Sequence, residues 1–417
     1  MNGGDSNAGV GAGTRLSVEQ ARERTVAAVA PVSGHERVPL SGALGRVLHA
    51  DITAPADIPA FAASAMDGYA LRAADLPGRD AEPRGFPVIG AAFAGAPFDG
   101  RVGAGECVRI MTGAPMPEGV DTVVIQEDVE RSGDRALVGS GHVAGQHVRA
   151  PGEDVAAGSR VLPAGRRLRP ADLGMLAGVG LGEVDVRRRA RVAYFSTGDE
   201  LVEPGGRLRR GDIYERNRYT IGAMLERLGV EARDLGIVPD DRDAIRDTML
   251  RAAEADAVIT SGGVSVGEAD YVRELLEEVG EVDFWRVSVK PGKPLAVGTV
   301  RGARFYGLPG NPVSSMVTFY LFVRPALERM SGTEPVMPAT WRVRCAERLR
   351  KQPGRTDFQR GILERDGGEP RVRPMPEQGS SILSSMSGAN CFIVVPAEAG
   401  DVEAGTLVDV IPFDETL

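Results

Sequence analysis

Hydrophobic and polar positions change their period along the chain. Val18, Ala21, Ala28 and Val29 give apolar surface to a helix over 17–30, and Ser17 with Gln20 makes a capping box at its start. After 39–47 the chain turns extended, with Pro55, Pro59 and Asp57-Ile58-Pro59-Ala60-Phe61 reading as a linker. Residues 87–148 run in short alternations rich in Val and Gly, the pattern of a small β domain. From Arg191 the pattern becomes strand, helix, strand, helix. Val192-Ala193-Tyr194-Phe195 is a buried-type strand, and Ile221, Met224, Leu225 and Leu228 form a helical stripe closed by Gly229. Leu235-Gly236-Ile237-Val238 is a second strand, and Ile245, Thr248, Met249 and Ala252 a second stripe. Ala257-Val258-Ile259 is a third strand, followed by a helix over 271–279 and another after Pro312. This alternation predicts a doubly wound parallel sheet. Beyond a linker at 331–338, residues 341–412 read as β again.

Ligands of such a sheet bind at the carboxyl ends of its strands. The polar turns after Phe195, Val238 and Ile259 open there, gathering Asp199, Glu200, Asp240, Asp241, Glu268 and Asp270 with Lys290 and Lys293. Acids at that edge can hold a divalent cation and lysines a phosphate. Asp240 and Asp241 can equally serve as helix caps. The stretch 257–312 is densest in such chemistry. Its glycines, Gly262, Gly263 and Gly267, let the backbone approach a phosphate, and a helix start follows. Elsewhere, Asp67-Gly68 is either a turn or a carboxylate shown on a loop. Arg109 to Pro115 ends a strand in a polar turn, and Gly152-Glu153-Asp154 places two carboxylates on a loop.

A length of 417 residues predicts three or four domains. A net charge of −9, from 58 acidic and 49 basic residues, argues against a general nucleic-acid or membrane-surface binder. Cys107, Cys345 and Cys391 lie far apart, and the four His form no ligand-spaced pair. Neither a structural zinc site nor a disulfide framework is expected, in keeping with a cytoplasmic location. Residues 1–13 read as a disordered tail without the apolar region of a signal peptide. No apolar run approaches the ~20 residues of a membrane-spanning helix. Among the 49 basic residues only Lys290, Lys293 and Lys351 are lysine. A site that needs a compact ammonium beside an oxyanion would keep Lys where the chain otherwise uses Arg. Lys351, outside these words, is expected to be exchangeable with Arg.

These residues carry a resemblance. The matching words are Ser64 to Ala70, Arg109 to Ala114, Gly152-Glu153-Asp154, Phe195 to Leu201, Asn217-Arg218, Ser261 to Tyr271, Lys290 to Pro294, Gly307 to Pro312, Asp357 to Gly361 and Gln378-Gly379-Ser380. In this order the chain resembles the molybdopterin molybdenumtransferases, the MoeA-like molybdenum insertases whose eukaryotic relatives include the gephyrin E domain. The resemblance implies an elongated N-terminal domain in two segments, 14–57 and 155–187, with an inserted β domain, 58–154. It further implies a doubly wound molybdopterin-binding α/β domain, 188–330, and a C-terminal β-barrel, 331–417. It implies homodimers with the site between subunits. The substrates would be molybdate and adenylylated molybdopterin, a divalent cation such as Mg2+ would assist, and AMP would leave. The molybdopterin adenylyltransferase and molybdoenzyme chaperones would be partners.

In that reading Asp67, Asp154, Glu200, Asp270, Lys290 and Lys293 are catalytic, with Asp67, Glu200 and Asp270 on the metal. Ser261, Gly262, Gly263 and Gly267 cradle the pterin phosphate. The lysines neutralise the pyrophosphate and the incoming oxyanion. Thr112, Thr197 and Asp240 bind substrate, Pro309 and Pro312 shape the oxyanion pocket, and Arg360 and Ser380 reach in from the barrel. The chain departs from the family pattern at Ala63, where Asn is common, at Ala150-Pro151, where a second basic residue is common, and at Arg286, where some relatives have Lys. An adenylyltransferase built on the same α/β module would carry a Gly-Gly-Thr-Gly turn and lack the β domains. A non-enzymatic scaffold would have lost Asp67, Asp270 or the lysines.

Overall fold

The computed structural model describes residues 15–262, 271–292, 294–414 and Leu417. The expected tail, Gly263, Gly267, Asp270 and Lys293 lie outside the described residues. The chain forms two compact units, one of 37–44 and 48–185, the other of 1–36, 45–47 and 186–417.

In the first unit six strands form one sheet, in the order Thr122–Ile125, Gly68–Leu71, Cys107–Ile110, Arg84–Ala92, Arg135–Val138, Val129–Ser132. Its faces bury Leu71, Phe86 and Val124 on one side and Ala70, Val108 and Val123 on the other. That alternation along single strands is the period of two expected of a β domain. The segments on either side of this domain meet again. Ile52–Thr53 pairs antiparallel with Arg160–Leu162, and Ala54, Val155 and Val179 pack together.

The second unit is built on a seven-stranded sheet in the order Arg15–Leu16, Gly280–Val287, Pro294–Val300, Ala303–Leu308, Ala257–Ser261, Arg191–Thr197, Glu231–Val238. The last four strands are mutually parallel. Two of them, Arg191–Thr197 and Ala257–Ser261, are buried along nearly their whole length because helices cover both faces. Val192, Tyr194, Ala257 and Ile259 face Asn217–Leu228 and the segment after Pro312, whereas Ala193, Phe195 and Val258 face Arg242–Ala252 and Tyr271–Val279. The other half departs from an all-parallel sheet, since Pro294–Val300 runs antiparallel to both its neighbours.

The first helix, Val18–Ala27, has the expected capping box. Gln20 N donates to Ser17 Oγ at 3.2 Å and Ser17 N donates to Gln20 Oε1 at 3.0 Å. It does not go with the elongated domain to which 14–57 was assigned. Leu16 extends the large sheet by pairing with Val287, and Val18 and Ala21 enter the α/β core.

Five C-terminal strands close a barrel. Thr356–Asp366 pairs with Glu369–Pro374 on one side and Cys391–Val395 on the other, and Trp341–Cys345 and Leu407–Pro412 complete the ring. Val343, Val372, Ile393 and Val410 fill it. A short strand, Val289–Lys290, pairs parallel with Thr356 and Asp357, so the barrel is fastened to the segment that carries Lys290. Among the described residues no helix is long and apolar enough to cross a membrane.

Candidate functional site

Three parallel strands of the large sheet end side by side at Thr197, Ser261 and Leu308, and their turns touch. Gly262 has φ +94°, and a Cβ there would lie 2.8 Å from Thr197 O, so the position tolerates only glycine. Asn217, at the start of its helix and 8% exposed, donates from Nδ2 to Ser261 Oγ and to Gly310 O, both at 2.7 Å. It pins the turn after Ser261 to the Pro309 to Pro312 turn. Pro309 is buried against the cleft described below, and Pro312 is buried in the first turn of Pro312–Thr318. The buried hydroxyls of Ser196, Thr197 and Thr260 have no hydrogen-bond partner among the described residues.

Beside them lie the acids. Asp241 caps Arg242–Ala252 by accepting from Ala244 N at 2.9 Å. Asp240 does not cap. Its amide donates to Asp199 Oδ1 at 3.1 Å. Partial burial, and then the negative charges of Asp199 and Glu200, push the Asp240 carboxyl above the usual carboxylate range. Glu200 is exposed on this edge. Among the described residues no three acidic, His or Cys groups stand in a metal-holding arrangement.

A cleft of about 580 Å³ opens between these strand ends and the barrel, lined by Gly262, Lys290, Gly310, Asn311, Arg355 and Ser380 among others. The Lys290–Pro291 peptide is cis, and Gly292, at φ +105°, lies so close to Thr318 that a Cβ would meet its Oγ1 at 2.6 Å. Lys290 Nζ lies 3.0 Å from Asp357 Oδ2; the lysine side chain is 44% exposed and the aspartate side chain 4%. The barrel loop is tied down where Val313 N donates to Ser380 O at 3.0 Å.

Arg360 does not reach into this cleft as expected. It is 1% exposed, and it donates to Ser385 Oγ at 3.1 Å, Gly379 O at 3.1 Å and Glu377 O at 3.3 Å. Burial pulls its pKa down to about 10. The guanidinium therefore shapes the turn that presents Ser380. Gln378 closes the same turn, accepting from Arg360 N at 3.0 Å and donating to Arg360 O at 2.8 Å. Arg355 lines the cleft and was missed, because nothing in sequence separates it from the many other arginines. Lys351 also corrects an expectation. It is 6% exposed, not an exchangeable surface cation.

In the first unit, Thr112 grips Asp67: Oδ1 accepts from Thr112 N at 2.8 Å and Thr112 Oγ1 at 2.7 Å. These hydrogen bonds hold the Asp67 carboxyl below its usual range, helped by the charge of Arg109. Arg109 stacks over Tyr69 at 4.9 Å and bonds Gln126. Asp154 is exposed, and its amide donates to Ile58 O at 3.0 Å. Ala63 pairs with Arg149 across a two-stranded ladder. Asp67 and Glu200 thus belong to different units, and the third expected metal ligand, Asp270, is outside the described residues.

Comparison with known proteins covers the chain almost end to end. A family model described as MoeA N-terminal region (domain I and II) matches residues 16–180. One described as probable molybdopterin binding domain matches 193–329, and one described as MoeA C-terminal region (domain IV) matches 342–413. The chain is 42% identical to a molybdopterin molybdenumtransferase of Haemophilus influenzae, over 96% of this chain and 100% of that protein. It is 36% identical to molybdopterin molybdenumtransferase 2 of Mycobacterium tuberculosis, over 94% and 98%. A crystal structure of the molybdopterin biosynthesis moeA protein from Pyrococcus horikoshii superposes with a TM-score of 0.84 at 31% identity, covering 96% of this chain and 100% of that one.

Proposed function

The chain belongs to the MoeA family of molybdopterin molybdenumtransferases, and on that premise we propose how its residues divide the work of the transfer. It is a transferase of molybdenum cofactor biosynthesis. The substrates are molybdate and adenylylated molybdopterin. Water cleaves the pyrophosphate and AMP leaves. The dithiolene sulfurs replace oxo ligands of molybdate, which depart as water.

The observation that carries the reading is Lys290. A half-exposed ammonium, fixed by a buried carboxylate, faces a cleft walled by glycine backbone at the carboxyl ends of parallel strands. Such a wall admits a phosphate closely, and the ammonium stabilises negative charge that grows on the pyrophosphate or the oxyanion. Gly262 would let the pterin phosphate approach the backbone closely, beside Ser261 and the Thr197 hydroxyl, which has no hydrogen-bond partner among the described residues. Pro309, Pro312 and Ser380 bound the oxyanion pocket, with Arg360 holding Ser380 in place and Arg355 adding a second cation. Lys293, Asp270, Gly263 and Gly267 keep the roles that the family resemblance implies for them. Orientation and charge neutralisation are the protein's main contributions, since the pyrophosphate supplies the driving force.

Magnesium or a similar divalent cation would be held by Glu200 together with Asp67 and Asp270, since the described acids at this edge form no metal-holding group by themselves. Beside Glu200, partial burial and then the charges of Asp199 and Glu200 push the Asp240 carboxyl upward, an effect that a nearby hard cation would offset. When bound, the cation would neutralise phosphate oxygens. Asp67, held ionised by Thr112, and Asp154 would serve from the first unit of a partner chain in a homodimer. The protein would work in the cytoplasm, taking substrate from the molybdopterin adenylyltransferase and passing product to molybdoenzyme chaperones.

The test supplies purified protein with adenylylated molybdopterin and follows AMP. Molybdate-dependent AMP release is expected, together with a sedimenting mass about twice the 44.0 kDa chain. Transfer of AMP from ATP to molybdopterin, without molybdate-dependent release, would overturn the reading in favour of an adenylyltransferase.

A further inference from the structure

Behind the cleft wall lies a charge that the reading above does not use. Lys351 Nζ donates to the carbonyl oxygens of Ala399 at 2.9 Å, Ala397 at 3.3 Å and Gln352 at 3.4 Å. Three acceptors match the three donors of an ammonium. None of the three is an acid, so the hydrogen bonds do not neutralise the charge. Burial draws the pKa of Lys351 down, Asp357 and then Glu398 counter that, and Lys290 and Arg355 add to it. Lys351 therefore feels both members of the Lys290–Asp357 pair.

The connection is also geometric. Gln359 Nε2 donates to Asp357 Oδ2 at 3.2 Å and to Arg350 O at 3.0 Å. It ties the carboxylate to the backbone beside Lys351. Asp357 is 3% exposed and pairs directly with the Lys290 ammonium, while its charge also acts on the buried ammonium of Lys351. A buried carboxylate that served Lys290 alone would cancel much of that lysine's pull on an oxyanion.

We propose that Asp357 and Lys351 are positioning residues of the transfer: Asp357 anchors the Lys290 ammonium at the cleft, and the buried charge of Lys351 offsets that carboxylate, so that Lys290 keeps its attraction for molybdate. The proposal rests on the molybdate reading of the cleft. It separates two jobs that a lone Lys–Asp pair would set against each other, fixing the cation and leaving it electrically available.

The two jobs give opposite kinetic signatures. Lys351→Gln keeps a donor for the carbonyls and removes the charge. KM for molybdate should rise roughly tenfold, the effect of one nearby charge, with a far smaller change in kcat. Asp357→Asn frees Lys290 and leaves the cleft more positive. Here kcat should fall roughly tenfold while KM for molybdate holds or drops. In the double variant Asp357→Asn/Lys351→Gln the two lost charges cancel, so KM should return toward the wild-type value. Melting curves and active-site titration normalise each value to folded protein.

A kcat loss with unchanged KM in Lys351→Gln, or a double variant whose KM stays as high as that of Lys351→Gln, would show that the two charges do not offset each other and overturn the proposal. If Lys351→Gln does not fold, Asp357→Asn decides alone, and a raised molybdate KM sinks the idea. Calorimetric titration of molybdate into each protein reads the same affinities without turnover. Wild-type protein that binds molybdate but releases no AMP would therefore defeat the functional reading and still leave the roles of Asp357 and Lys351 decided.

Discussion

Asn217→Ala removes one side-chain amide, yet it cuts two turns of the cleft loose from each other. The amide makes two hydrogen bonds of 2.7 Å, to Ser261 Oγ and Gly310 O. A buried hydrogen bond contributes about 1 kcal/mol net, and leaving a buried partner unsatisfied adds its desolvation penalty. Ser261 is 2% exposed and cannot turn to bulk water, so its hydroxyl carries most of that penalty. The Gly310 carbonyl, on an exposed residue, is hydrated more easily. The expected loss is therefore about 2 to 3 kcal/mol rather than twice the full penalty. Urea unfolding followed by tryptophan fluorescence measures it. Turnover per folded molecule should fall as well, because Gly262 and Gly310 both line the cleft and would no longer be held in register. Asn217→Asp is the sharper companion, since a carboxylate can still accept from Ser261 but repels Gly310 O. An alanine variant that loses under about 0.5 kcal/mol, the range of an ordinary surface change, and turns over normally would refute the pinning role.

Lys290→Arg should lower turnover at least tenfold, about 1.4 kcal/mol of transition-state stabilisation, because a planar fork cannot both keep the Asp357 contact and leave room for an oxyanion; wild-type turnover at saturating molybdate would reject it. Lys351→Arg keeps the charge but must fit a larger group among three carbonyls, so it should cost about 1 to 3 kcal/mol of stability with molybdate KM unchanged in the folded fraction; an unaltered melting curve would count against the buried packing. Asp67→Asn should cut AMP release by orders of magnitude with little change in melting, and activity that tracks the folded fraction would make Thr112–Asp67 a structural turn only. Asp240 has a raised folded pKa, so the stability linked to it is full below the unfolded carboxylate value of ~3.9 and is lost as pH rises through the folded value. Asp240→Asn should accordingly melt higher than wild type at pH 7, with the gap closing in acid, and magnesium should raise wild-type melting more than the variant's; equal magnesium responses would remove Asp240 from the cation edge.

What the sequence disclosed was what depends on neighbours along the chain. The capping box spans three residues, and it is present as read. The strands Arg191–Thr197 and Ala257–Ser261 are apolar throughout because both faces are covered, so their pattern announces a parallel sheet. The antiparallel strands Gly280–Val287 and Pro294–Val300 were not legible. The first opens on Gly and alternates acids with apolar residues, and the second begins inside a proline-rich word that reads as a binding loop. Asn217 was visible only as part of a family word, since its partners lie 44 and 93 residues away. Arg360 was placed at the cleft by the family resemblance alone. Its actual partners are backbone carbonyls of a turn 17 and 19 residues on, which no local pattern marks.

The lysine contrast shows how a sequence signal can be sound in kind and too narrow in scope. Arginine serves wherever a cation meets solvent or a surface carboxylate, as Arg348 does with Asp401 and Arg242 with Glu278. Both described lysines sit instead where a guanidinium would be too broad. Lys290 stands against a buried carboxylate at the edge of a cleft, and Lys351 is enclosed by three carbonyls that a compact ammonium can satisfy from one point. The compactness criterion put Lys290 at a cleft, and the same criterion applied to Lys351 leads inward rather than to the surface. Two of its three acceptors come from Ala397 and Ala399, 46 and 48 residues away, and only barrel closure brings them there. On the proposed reading the motif marks the charge that would touch substrate, while the fold supplies the charge that would keep it available.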